Sequence, residues 1–164
     1  MKREQKSLTN KGFSLVELII VVAIMAVLIG VLAPQYLRYV EKSRLQKDNT
    51  SISEVANVIK MASAEEAVVT QLQGGGTPIT VTYTFDSTGM QGVNATTPTA
   101  LDTEILATIT PAEVKVTSST YGGGSTAPNL QVTIDANNQI KVSSVGWMDS
   151  PTATASTAAD PKVF

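Results

Sequence analysis

The sequence predicts an α+β protein: a long N-terminal α-helical spine, apolar in its first half and amphipathic in its second, packed on a C-terminal antiparallel β-sheet head. Three observations carry this. Residues 18–37 are twenty consecutive uncharged positions, most of them apolar. Apolar residues then recur at Leu45, Ile52, Val55, Ile59, Ala62 and Val69, in steps of three, four and seven that mark one face of a helix. Beyond the glycines at 74–76 the period changes to alternation, in "PITVTYTF" (78–85) and again across 129–145, as expected of strands with one buried face.

The first segment, residues 1–12, is a short basic leader, with Lys2, Arg3, Lys6 and Lys11 against Glu4. The remaining residues carry more acids than bases, and the chain as a whole has a formal charge of −2. Nothing in this distribution supplies the basic face that nucleic-acid binding requires.

The second segment, 13–37, is long enough to cross a bilayer, whose hydrocarbon core of about 30 Å takes about 20 helical residues. Glu17 stands at its start. A carboxylate at mid-bilayer costs about 2.5–3.5 kcal/mol on insertion scales, and less near the interface. A cleaved secretory signal fits poorly, because the apolar run exceeds the usual 7–15 residues and Pro34 follows the only small-residue cut, after Ala33. A plain signal anchor of a surface protein fits the length but leaves Glu17 without a partner. Arg38, Lys42, Arg44 and Lys47 add basic charge beyond the span as well, which weakens any orientation argument.

The stretch "KGFSLVELIIVVAIMAVLIGVLAP" (11–34) resembles the N-terminal motif of type IV prepilins. The resemblance covers about residues 1–40 and rests on Gly12, Phe13, Glu17 and Pro34 standing where the family has its cleavage Gly, its new N-terminal residue, its acid and its helix-interrupting Pro. It implies cleavage after Gly12 on the cytoplasmic side by a prepilin peptidase, which also methylates the new amine of Phe13. It further implies insertion into membrane lipid, then export of the subunit into a helical homopolymer by an inner platform protein and an assembly ATPase. In the family's assembly scheme the acid, here Glu17, meets the N-terminal amine of a neighbouring subunit. That suits the rule that a buried carboxylate is tolerable only when paired. The implied product is an extracellular filament for adhesion, aggregation or twitching motility, with a pseudopilin of a secretion or DNA-uptake system as the alternative.

The third segment, 38–72, is the amphipathic half of the spine. Lys47, Asp48, Glu54, Lys60 and Glu65 fall opposite the apolar face. A single helix from 13 to 72 would reach about 90 Å. Gly30 and Pro34 predict a kink or local melting, and "DNTS" (48–51) is a lesser bend candidate. Tyr36 and Tyr39 have the placement of an interfacial aromatic belt and serve equally for packing.

The fourth segment, 73–164, is the head. "GGG" at 74–76 ends the helix. Strands are expected at 78–85 and 113–118, and a short helix at 99–109, where Thr and Ile also allow a strand. The residues 122–128 read as a loop. In 129–145 a hairpin sets Leu130, Val132 and Ile134 against Ile140 and Val142 across a "DANN" turn. Trp147 is expected to close the core. The Thr/Ser/Ala-rich tail is expected to be loosely ordered, with Val163 and Phe164 docking as a clasp.

With neither Cys nor His, thiol chemistry, His bases, disulfides and the usual zinc sites are excluded. Glu65 and Glu66 are helix neighbours that point apart. Asp102, Glu104, Asp135 and Asp149 bind Ca²⁺ only if the fold gathers them, and no EF-hand spacing supports that. No enzyme, metal site or cofactor is expected. Asn49-Thr-Ser and Asn94-Ala-Thr match the N-glycosylation pattern, which is common by chance.

Overall fold

The computed structural model describes residues 12–72, 80–93, 99–124, 128–134, 139–149, 151, 154–157 and 160–164. The chain forms two compact units, Met1–Arg38 and Tyr39–Phe164. Helix α1, Leu15–Ala62, runs through Gly30, Pro34 and the 48–51 stretch without a break in its helical assignment. Within its first part the side chains from Leu15 to Leu37 are exposed, with no share of the apolar window buried.

The spine is not one helix to residue 72. It stops at Ala62, turns through residues 63–65, and resumes as α2, Glu66–Leu72. Ser63 causes much of this. Its hydroxyl donates back to the Ile59 carbonyl at 2.6 Å, and Ala64 and Glu65 then close tighter three-residue turns onto Met61 and Ala62. The turn shifts the helical phase, so Val68, not Val69, enters the core. Upstream, Leu45, Ile52, Val55, Ile59 and Ala62 are buried as the spacing predicts.

The second unit contains a five-stranded antiparallel sheet in the order β2-β1-β3-β4-β5. Strand β1, Thr80–Phe85, buries Tyr83 and Phe85 and exposes its threonines. It turns through Asp86–Gly89 into β2, Met90–Gln91. Asp86 Oδ1 accepts the Thr88 and Gly89 amides at 2.7 and 3.0 Å. Gly89 has φ +139°, and a Cβ there would run into the backbone of Pro111 and Ala112. Strands β3, Asn129–Ile134, and β4, Ile140–Val145, form the expected hairpin, with Val132 opposite Val142 and Ile134 opposite Ile140. The "DANN" turn (135–138) and the glycines at 74–76 lie outside the described residues.

Residues 100–108 form α3, Ala100–Thr108, with a complete capping box: Asp102 N–H donates to Thr99 Oγ1 and Thr99 N–H to Asp102 Oδ2, both at 3.1 Å. Asp102 is buried and also accepts the Tyr83 hydroxyl at 3.2 Å. Burial, reinforced by the adjacent carboxylate, pushes the Tyr83 phenol well above its ordinary range.

The predicted strand at 113–118 is not one. Pro111–Glu113 make a 3₁₀ turn, 114–118 run as an irregular strap, and a second 3₁₀ turn, Ser119–Gly124, takes in the first three residues of the expected 122–128 loop, of which 125–127 lie outside the described residues. The strap's Val116 N–H donates to the Asp86 carbonyl at 3.0 Å, and its last two amides are satisfied by an α1 side chain instead of a sheet ladder. Asp48, expected on the solvent face, is 2 % exposed and accepts the Thr117 and Ser118 amides at 2.8 and 2.7 Å. One heptad earlier, Glu41 accepts the Ser118 hydroxyl at 2.5 Å and the Thr120 amide at 2.9 Å. Burial opposes the charge on Glu41, but the hydroxyl and amide donors outweigh it and hold its carboxyl down at about 2. Next to Asp48, Asn49 accepts the buried Tyr121 hydroxyl at 2.6 Å and donates to the Met148 carbonyl at 2.7 Å. Burial pushes the Tyr121 phenol up to about 12. The Asn49 amide is thus committed to packing, and Asn94 lies outside the described residues.

Much of the described tail is ordered. Ser156 exchanges backbone hydrogen bonds with Gly146 and Trp147 at 2.8 Å, and its hydroxyl donates to Ser144 O. Strand β5, Lys162–Val163, pairs with β4. Phe164 packs edge-on against Trp147, centroids 5.2 Å apart. The expected clasp therefore forms, and Trp147 is buried in the same core as Leu45, Ile59, Leu130 and Val142.

Candidate processing and assembly site

The residues singled out at the N-terminus separate into two groups. Gly12, Phe13, Ser14 and Glu17 line one open hollow of about 460 Å³. Phe13 is 92 % exposed, so the Gly12–Phe13 peptide bond leads into a fully accessible ring. Gly30 and Pro34 lie about four and five helical turns beyond Glu17 along α1.

Ser14 is the residue that the sequence reading passed over. Its N–H donates to Glu17 Oε2 at 3.0 Å, and its hydroxyl accepts the Val16 amide in a long 3.4 Å contact. The pattern Ser14-x-x-Glu17 is that of a capping box, and it was present in the sequence. Glu17 thus caps the start of its own helix, where a negative charge is also favoured by the helix dipole. A carboxylate has acceptor capacity to spare after one such bond, so capping and reception of an amine are compatible.

Pro34 has no N–H to give the carbonyl of Gly30, one turn back, and its ring crowds that carbonyl. The helix nevertheless continues through both. A Cβ added at Gly30 would meet nothing within 4 Å, so the glycine is not required by packing inside the chain.

Among the described residues no group of three or more His, Cys, Asp or Glu side chains is gathered as for a metal ion. Asp102 is engaged with Thr99 and Tyr83, Glu104 is exposed on α3, Asp149 accepts the Trp147 indole N–H at 2.8 Å, and Asp135 lies outside the described residues. Tyr36 and Tyr39 are 66 % and 74 % exposed.

Residues 8–33 match the family described as the prokaryotic N-terminal methylation motif. The match covers the Gly12–Phe13 junction, Glu17 and most of the apolar stretch. Together with the one helix among the described residues that is long and apolar enough to cross a membrane, it supports a type IV pilin-like prepilin: a structural class shared by pilins and pseudopilins, processed by a prepilin peptidase and methylated. The membrane-anchored precursor that this class begins as agrees with the exposed apolar helix. No curated protein and no solved structure is significantly similar to the chain.

Proposed function

We propose that the chain is the structural subunit of a type IV pilus, and not an enzyme. Its leader, 1–12, is removed after Gly12, and the amine of Phe13 is methylated. Residues 13–37 hold the precursor in the cytoplasmic membrane and then form the filament core. Residues 38–72 join that core to the head, 73–164. Partners are copies of the same chain, the prepilin peptidase, a platform protein and an assembly ATPase. The destination is an extracellular filament serving attachment, aggregation or twitching motility.

One observation carries the reading. The apolar helix is exposed along its whole first part while the second unit is already a closed fold with its own core. An apolar face of that extent needs lipid or other copies of itself. Glu17 lies within that face, where the amine of a neighbour's Phe13 is the partner the processing chemistry creates. Open, non-closing contacts between identical subunits then extend as a fibre.

The test is the intact mass of subunits sheared from the cell surface. The expected species begins at Phe13 and carries one N-methyl group. A chain beginning at Met1 or just after Ala33 would overturn the reading. Cleaved subunit confined to short membrane-bound assemblies, with no surface filament, favours the pseudopilin role.

A further inference from the structure

We infer that a groove on the second unit is a docking surface for the basic end of α1 from a second copy of the chain. This deepens the homopolymer reading and rests on it. The groove is made of two hollows of about 400 and 240 Å³ that share Val58 of α1 and Thr108 at the end of α3. Val55, Val58 and Val114 supply apolar lining, and Met61 stands over it 66 % exposed. Its rim is acidic. Glu54, Glu65, Glu104 and Glu113 all line it, all are exposed, and no basic side chain does. Among the described residues the only ion pair is Lys162–Asp149, at 3.8 Å, so none of the four rim carboxylates is paired with a described cation.

The complementary surface is on the same helix. Lys42, Arg44 and Lys47 are exposed, while the acids nearest them in sequence, Glu41 and Asp48, are taken up by the strap. Arg44, Lys47, Ser51, Glu54, Val58 and Met61 follow one another in alternating steps of three and four, which places them on a single stripe of α1. The stripe is basic at its start and acidic and apolar two turns later. Both ends belong to the compact unit Tyr39–Phe164. A neighbour shifted along the helix direction by about two turns brings its Arg44 and Lys47 level with Glu54 and the groove. The long stems of these residues lie on the apolar lining, and their charged heads meet the rim. The contact uses two different surfaces of one chain, so it repeats without closing.

The test uses the full chain in cells that assemble it, with surface filament measured against the membrane pool of cleaved subunit. Reversing the groove (E54K with E113K) or the basic end (R44E with K47E) should each cut filament yield by about ten-fold or more, as like charges replace opposite ones. Combining all four reversals in one chain restores complementarity and should recover most of the yield. The chain has no Cys, which allows a second arm. The pair K47C and E54C in one chain should give a ladder of disulfide-linked multimers on mild oxidation, whereas neither single variant should. The two positions lie about 10 Å apart on one helix, too far for a bond within the chain. Normal filaments from every reversal and no ladder overturn the groove contact and leave the homopolymer intact. Absence of filaments from the unaltered chain overturns the homopolymer instead. If groove reversal impairs assembly, the four-fold reversal fails to rescue it, and the E54C thiol is captured by a different basic protein, the occupant is not a second copy and the inference is overturned.

Discussion

Asp48 shows how much one side chain can hold. It is buried, it accepts two amides and the Thr117 hydroxyl, and no sheet ladder competes for those donors. Asp48→Ala leaves them without an acceptor, at a cost of about 1–3 kcal/mol for each buried group. We expect a loss of about 3 kcal/mol or more in chemical denaturation of the second unit, and a loss near 1 kcal/mol for Asp48→Asn, which keeps one acceptor oxygen. Glu41 adds a pH dependence. Its carboxyl is held at about 2 in the folded chain against an ordinary 4.5, so the stabilisation it supplies is present above 4.5 and is lost as pH falls through that interval toward 2. A thermal scan series over this range should show the unaltered chain losing more stability than Glu41→Gln, whose neutral side chain has no proton to take up.

At the scale of elements, turns decide more than propensities do. Gly89 sits at φ +139° with the Pro111–Ala112 backbone against it, and Gly89→Ala should therefore cost about 2 kcal/mol or more in a denaturation midpoint. Gly30→Ala, with open space around it, should leave folding intact and raise helicity slightly, by up to about 1 kcal/mol in helix propensity; an assembly defect in that variant would locate the glycine's role between subunits. The strands of the hairpin and β1 were legible because polar residues alternate with apolar ones at a period of two, and Phe164 because an aromatic end needs a core. The strap was not legible. "EVKVTS" alternates as a strand does, but its Thr117 and Ser118 find their partners in Asp48 and Glu41, about seventy residues earlier, and no local pattern announces that. Asp48 itself reads as a solvent-facing acid on the helical wheel until the strap is placed over it. The break at 63–65 was equally hidden, since "MASAEEA" is good helix sequence and only the hydroxyl of Ser63 and the burial of Val68 favour the turn. At the N-terminus the Ser14–Glu17 cap is written in the sequence as S-x-x-E, inside an apolar run where an acid at that place has a second reading as a partner for an amine.

For the whole molecule, the division into two units implies that the second can stand alone. A fragment beginning at Tyr39 should be soluble and monomeric, with one cooperative thermal transition unaffected by reducing agent, because it lacks the apolar helix and has no disulfide to lose. Persistent aggregation would move the boundary. The full chain is tested at Glu17. Glu17→Ala removes the insertion penalty, so the precursor should still insert and be cut, while, on the proposed pairing, the amine of Phe13 would be left alone in the assembled core at about 3–5 kcal/mol per subunit. Surface filaments should fall sharply against a normal pool of cleaved subunit, and normal piliation would remove the pairing role. Because Glu17 caps its own helix, Glu17→Gln separates that duty from the proposed pairing: an amide oxygen still accepts the Ser14 N–H, so assembly lost in that variant is lost through charge. The strap has a consequence of another kind. Amide protons at Thr117 and Ser118 lie in no helix or strand, and that of Thr120 in a short 3₁₀ turn, yet each is tied to a carboxylate of α1. Their exchange with deuterated solvent should be as slow as that of the hairpin, since they are released only when the strap lifts from α1. A mobility survey by isotope labelling would then find an apparent loop among the last regions of the head to take up deuterium.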